Sequence, residues 1–148
     1  MAVDPVLGRA TFALRNRLED LPLVQQAIDR VLHQHAIEQE PAYVLRLAVE
    51  ELLSNVMRHG FDDTSLHQIV VAVEVRTERI DLTIEDDGRA FDPNSRGDLP
   101  TPATLEDAPI GGMGLAMVKQ MAGPIHYVRQ GMRNRVTVQI PRQGRRYS

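Results

Sequence analysis

Apolar residues recur at helical spacing in some stretches of this chain and alternate with polar ones in others, and the change of period predicts the order of elements. A weak alternation from Gly8 to Arg15 predicts a short first strand. Leu21, Val24, Ile28, Val31 and Leu32 predict a first helix from Leu18 to about Ala36, with Pro22 suited to its first turn. A second helix is predicted between Pro41, which opens it, and Gly60, which ends it. Between Leu66 and Arg76 the period becomes two, with Ile69, Val71, Val73 and Val75 on one face and Gln68, Glu74 and Arg76 on the other. Ile80, Leu82 and Ile84 then alternate with Asp81, Thr83 and Glu85, and a polar turn at Thr77 and Glu78 joins the two strands as a hairpin. From Asp87 to Ile110 there is little periodicity, which predicts a long loop of the kind that is either a functional lid or disordered. A third helix from Gly112 to about Met121 and strands at Ile125–Arg129 and Arg135–Ile140 complete the pattern. Together these predict one domain over residues 1–148: an α+β two-layer sandwich, with a mixed, mostly antiparallel sheet and three helices on one face.

The second helix carries an anomaly. At roughly 100° of rotation per residue, Val44, Leu47, Ala48 and Leu52 form one stripe, and Glu51, Asn55 and His59 fall inside it. Glu50, Arg46 and Met57 project from the far side. An unpaired polar group in a dry core costs about 1–3 kcal/mol. Satisfied core polars are one account of the three residues; three at i, i+4 and i+8 favour a polar pocket instead.

Two further segments carry candidate chemistry. Asp86 is in phase with the inward row Ile80, Leu82 and Ile84, and Gly88 lets the backbone come close to a flat group. Read alone, the segment is better taken as an ordinary acidic turn, Asp-Asp-Gly. Ile110-Gly111-Gly112-Met113-Gly114-Leu115 opens the third helix, where free backbone N–H groups uncovered by glycines suit phosphates. It lacks the lysine of a P-loop and follows a loop, so a dinucleotide-binding turn is also unsuited.

Composition narrows the class. Hydrophobic content of 43%, charged content of 25% and a net charge of −3 suit a globular protein and argue against a dedicated nucleic-acid binder. Six arginines and no carboxylate follow Tyr127, which reads as a solvated strand face and a frayed tail. Cysteine is absent, which suits a reducing cytoplasm, and no signal peptide or membrane span is expected.

Glu-x-x-x-Asn on a helix, Asp-x-Gly after a strand, a long loop and Gly-x-Gly before a helix, in that order, resemble the GHKL ATP-binding superfamily of gyrase, large heat-shock chaperone, mismatch-repair and histidine-kinase ATPases. Within it the chain looks most like the bacterial anti-sigma factor serine/threonine kinases. The resemblance implies ATP and Mg²⁺ as cofactors, with Asn55 as the Mg²⁺ ligand and Glu51 as the catalytic base. It implies that Asp86 accepts from the adenine amino group, that Gly88 shapes the base pocket, and that His59 and Ala90 line the site. Gly111, Gly112, Met113, Gly114 and Leu115 would present the phosphate-binding turn, and the loop after Asn94 would be the lid, with Arg96 a phosphate contact. Ala90 stands where the family usually has a second glycine, and Asn134 where a threonine often lines the pocket.

Only about 60 residues precede Gly60, so a phospho-accepting helical hairpin is not expected, and His33 and His35 read as surface residues. Histidine kinases also usually lack an acid at the place of Glu51. Gyrase-type ATPases keep it but need transducer domains. The resemblance therefore implies a cytoplasmic anti-sigma factor that phosphorylates a STAS-domain anti-anti-sigma protein, sequesters a sigma factor, forms a homodimer, and binds neither nucleic acid nor membrane directly. A non-catalytic ATP-dependent binding switch and a slow ATP hydrolase remain open beside it.

Overall fold

A computed structural model of the chain describes residues 4–96 and 112–143. The elements run β1 (Val6–Arg15), a 3-10 turn (Leu18–Asp20), α1 (Leu21–Gln34), α2 (Gln39–His59), β2 (Gln68–Arg76) and β3 (Arg79–Asp86). A second 3-10 turn (Pro93–Arg96), α3 (Gly112–Ala122), β4 (Ile125–Gln130) and β5 (Arg133–Pro141) follow. The expected α+β sandwich is the observed one. Each of the strands β2, β3 and β5 buries one alternate row, β4 buries Ile125 alone, and these residues meet Ile28, Leu45, Leu53 and Val118 of the helices in one apolar cluster. The opposite face is polar and carries pairs such as Arg9–Glu74 and Arg135–Glu85.

The strand order is β1-β2-β3-β5-β4, and every pairing is antiparallel, so the mixed sheet expected from the sequence is not found. The reason lies in the crossover. A strand, a helix and another strand read as a parallel pair, and β3 and β4 do run the same way. But β5 turns back at Gly131, which takes φ 57, and inserts between them.

Local differences from the expected boundaries have simple causes. The first helix starts three residues late because Leu18–Asp20 forms a 3-10 turn in which Asp20 accepts the Arg15 N–H at 3.0 Å. Pro41 lies inside the first turn of α2 rather than at its start, where a missing N–H costs nothing. Gly60 does end α2, but in a right-handed conformation (φ −82). Met57, expected on the far side, packs partly against the core. His35, expected at the surface, is half-buried with its ring against Gly8, where a Cβ would lie 2.5 Å from Cε1. Arg133 and Arg135 pair with Glu85 on the solvated strand face as expected, but Arg142 lies beyond β5, is 13% exposed in its side chain and pairs with Glu38 ahead of α2, while the expected frayed tail lies outside the described residues.

Candidate functional site

The C-terminal half of α2, the end of β3 and the first turn of α3 meet at one edge of the sandwich. Asn55 is 4% exposed, yet its side chain makes no hydrogen bond among the described residues, and the buried Nδ2 has no partner. Leaving such a group unsatisfied costs about 1–3 kcal/mol, so the site is built for something else to meet it. A half-turn of the amide presents the oxygen instead of the NH₂, which suits a cation. Among the described residues no cluster of three or more His, Cys, Asp or Glu is arranged to hold a metal. A Mg²⁺ held by Asn55 would thus draw its other ligands from phosphates and water, as Mg²⁺ commonly does.

One turn earlier, Glu51 faces α3. A Cβ added to Gly114 would overlap Cγ, Cδ and Oε1 of Glu51, so the glycine is what lets the carboxylate lie against the first turn of α3. Desolvation by burial, then the charge of Glu50, push the Glu51 carboxyl above its ordinary 4.5, while Arg58 opposes them. Glu50 is exposed, and its carboxylate accepts from Gln25 at 3.4 Å. Of the two adjacent acids, only Glu51 reaches the site.

Asp86 ends the inward row of β3 at 2% exposure. Its Oδ1 accepts the Gly88 N–H at 2.8 Å and the Asn134 amide at 3.0 Å, while Oδ2 accepts nothing among the described residues. Gly88 is needed because a side chain there would strike the Gly60 carbonyl. That carbonyl also accepts the Arg89 N–H at 2.8 Å, and the His59 carbonyl accepts Arg89 Nε at 2.5 Å. These contacts clamp the end of β3, which carries Asp86, to the C-terminal end of α2, one turn beyond Asn55.

The remaining expected residues divide. His59 is half-buried and stacks on Phe91 with ring centroids 5.5 Å apart, so it walls the site through an aromatic contact. Ala90 is exposed. Leu115 puts its side chain into the core at 6% exposure, which leaves its backbone alone for any phosphate contact. Gly112 begins α3, as expected. Gly111, the side chains of Met113 and Arg96, and the lid from residue 97 to 110 lie outside the described residues. The base of that loop is ordered differently from the structureless segment expected: Pro93–Arg96 is a 3-10 turn, tied to β4 by Asn94 Nδ2 donating to the Ile125 carbonyl at 2.9 Å. From sequence Asn134 has no role beyond its place in the pocket, and Tyr127, Arg129 and Phe91 are passed over. Asn134 was findable, because it is in phase with Val136, Val138 and Ile140 just as Asp86 is with Ile84.

An inward Glu and Asn on one helix, an inward Asp behind a clamped glycine, and a glycine-opened helix facing them define a two-layer domain of the ATPase type. The chain matches the histidine kinase-like ATPase domain over residues 14–140 and belongs to that family. It is 31% identical over 98 residues to the serine/threonine-protein kinase BtrW of Bordetella bronchiseptica, covering 65% of this chain and 68% of BtrW. It is 24% identical over 117 residues to the serine-protein kinase RsbW of Listeria innocua, covering 76% and 74%. Among solved structures, the RsbU and RsbW domains of Rv1364c from Mycobacterium tuberculosis share the fold, with a TM-score of 0.64 at 15% identity. That alignment covers 94% of this chain, which spans 33% of the Mycobacterium chain. No helix among the described residues is long and apolar enough to cross a membrane.

Proposed function

We propose that the chain is a serine/threonine protein kinase and anti-sigma factor that uses Mg-ATP to phosphorylate a STAS-domain anti-anti-sigma protein and otherwise sequesters a sigma factor, in the cytoplasm and as a homodimer. The observation that carries the catalytic part is Glu51: a half-buried carboxylate set against the first turn of α3, one helical turn from an unsatisfied buried amide. The names of the two relatives support the reaction class.

In this reading Asn55 holds Mg²⁺, which offsets charge on the phosphates. Backbone N–H groups of the first turn of α3 bind the phosphate oxygens, and Asp86 Oδ2 accepts from the adenine amino group. Glu51 takes the proton of the partner's serine or threonine hydroxyl as that oxygen bonds to the γ-phosphorus and the bond to the β-phosphate oxygen breaks. ADP leaves, and the proton passes from Glu51 to solvent.

Incubation with labelled ATP, Mg²⁺ and STAS-domain proteins tests the reading. Acid-stable label on the STAS protein is expected. Tight ATP binding with no label on any partner would leave a passive binding switch, and release of free phosphate alone would leave a slow hydrolase.

Two substitutions probe the site's parts. Asp86→Asn replaces a charged acceptor, and hydrogen bonds to charged groups contribute about 1.5–3 kcal/mol, so ATP affinity measured by calorimetry should fall roughly 10- to 100-fold. Gly114→Ala places a methyl group where the Glu51 side chain lies. Alanine is favoured over glycine inside a helix by about 1 kcal/mol, so the melting temperature should hold or rise while phosphoryl transfer falls. A parallel loss of both would show that the glycine serves packing rather than the position of Glu51.

A further inference from the structure

A buried polar network stands behind Asp86, and Asn134 is its centre. Asn134 is 2% exposed and is the register partner of Asp86 across β3 and β5. Its Nδ2 donates to Asp86 Oδ1 at 3.0 Å and to the Arg89 carbonyl at 2.8 Å. Its Oδ1 accepts from the Tyr127 hydroxyl at 2.5 Å and from Arg129 Nη1 at 3.1 Å. Arg129 Nη1 also donates to the Gly88 carbonyl at 2.6 Å. Both donors and both acceptor positions of the amide are therefore used. Turning it over would set its oxygen against the Asp86 carboxylate and the Arg89 carbonyl, and its NH₂ against the Arg129 guanidinium, so its orientation is fixed.

Fixing Asn134 fixes Asp86. With Oδ1 occupied by the Gly88 N–H and the Asn134 amide, Oδ2 is the oxygen left to a ligand. We infer that Asn134, oriented by Tyr127 and Arg129, is the positioning residue for nucleobase selection: by holding Asp86 Oδ1 it aims Oδ2, an acceptor with no proton to give, at the ligand, where a purine carrying an amino group is taken and one carrying a carbonyl oxygen is rejected. The inference rests on the ATP reading and adds the source of its adenine preference. Sites built around a fixed hydrogen-bonding group discriminate strongly, because the wrong partner leaves a buried polar group unpaired.

The test is displacement of a fluorescent ATP analogue by ATP and by GTP from the wild type, Asn134→Leu and Tyr127→Phe, each checked by thermal melting. Asn134→Leu is expected to weaken ATP at least tenfold with little change for GTP, so that the ratio of the two affinities collapses. Tyr127→Phe, which removes one hydroxyl at a half-buried position, should move the ratio the same way by a smaller factor and decides the matter if Asn134→Leu does not fold. Equal weakening of ATP and GTP, or an unchanged ratio in a folded variant, overturns the role of Asn134 while leaving ATP binding intact. A wild type that binds neither nucleotide overturns the ATP reading itself.

Discussion

Glu51→Gln should leave ATP affinity within a few fold and lower phosphoryl transfer to the STAS partner by roughly 10²-fold or more. Glutamine keeps the size and much of the hydrogen-bonding capacity but cannot take up the hydroxyl proton. Sequestration of a sigma factor should survive, since it needs surface and not proton transfer. The control is next door: Glu50→Gln, exposed and turned toward α1, should change neither quantity.

The direction of the Glu51 shift adds a second signature. Its carboxyl is raised above 4.5 chiefly by desolvation and then by Glu50. A base works only when ionised, so the acid limb of the transfer rate should lie above pH 4.5 and be absent from the residual activity of Glu51→Gln. The sign for stability runs the other way. A raised carboxylate binds more protons folded than unfolded, so its cost is absent at low pH and appears as pH rises through the raised value. At neutral pH, Glu51→Gln should therefore melt no lower than the wild type, the pattern of a site that trades stability for activity. A variant that labels the partner at the wild-type rate would remove Glu51 from the reaction.

Much of this site was legible because periodicity and burial are the same fact seen twice. Helical phase alone separated Glu51 from Glu50, and strand phase placed Asp86 at the end of a buried row. The same strand phase marks Asn134, but a polar residue near a turn gives no sign of its partners until β3 and β5 are known to be neighbours. That adjacency is a long-range property: β5 enters between β3 and β4, and a strand–helix–strand pattern reads as a parallel pair when a third strand is free to intervene. Leu18–Asp20 was misread for a local reason. Its apolar and acidic residues continue the helical pattern, while the Asp20 carboxylate binding the Arg15 N–H holds the chain in a tighter turn. Gly88 was expected to make room for a ligand; what touches it is the Gly60 carbonyl, a contact no spacing rule announces.

Asn55→Ala should abolish Mg²⁺-dependent nucleotide binding while leaving the fold intact or more stable. The reasoning starts from the free protein, where the amide is buried and its NH₂ unsatisfied. Removing an unsatisfied buried amide relieves a cost of about 1–3 kcal/mol, and the small cavity left behind offsets part of it. Thermal melting without ligand should thus show little loss. With Mg²⁺ and ATP present, the wild type gains stability in proportion to the logarithm of ligand concentration over Kd, and Asn55→Ala should lose that gain. Calorimetry with and without Mg²⁺ separates the metal from the base: the Mg²⁺-dependent part of the affinity should vanish in Asn55→Ala and persist in Asp86→Asn, which weakens binding through adenine instead. If Asn55→Ala binds Mg-ATP as the wild type does, the orphaned amide is a defect of packing and the metal site lies elsewhere.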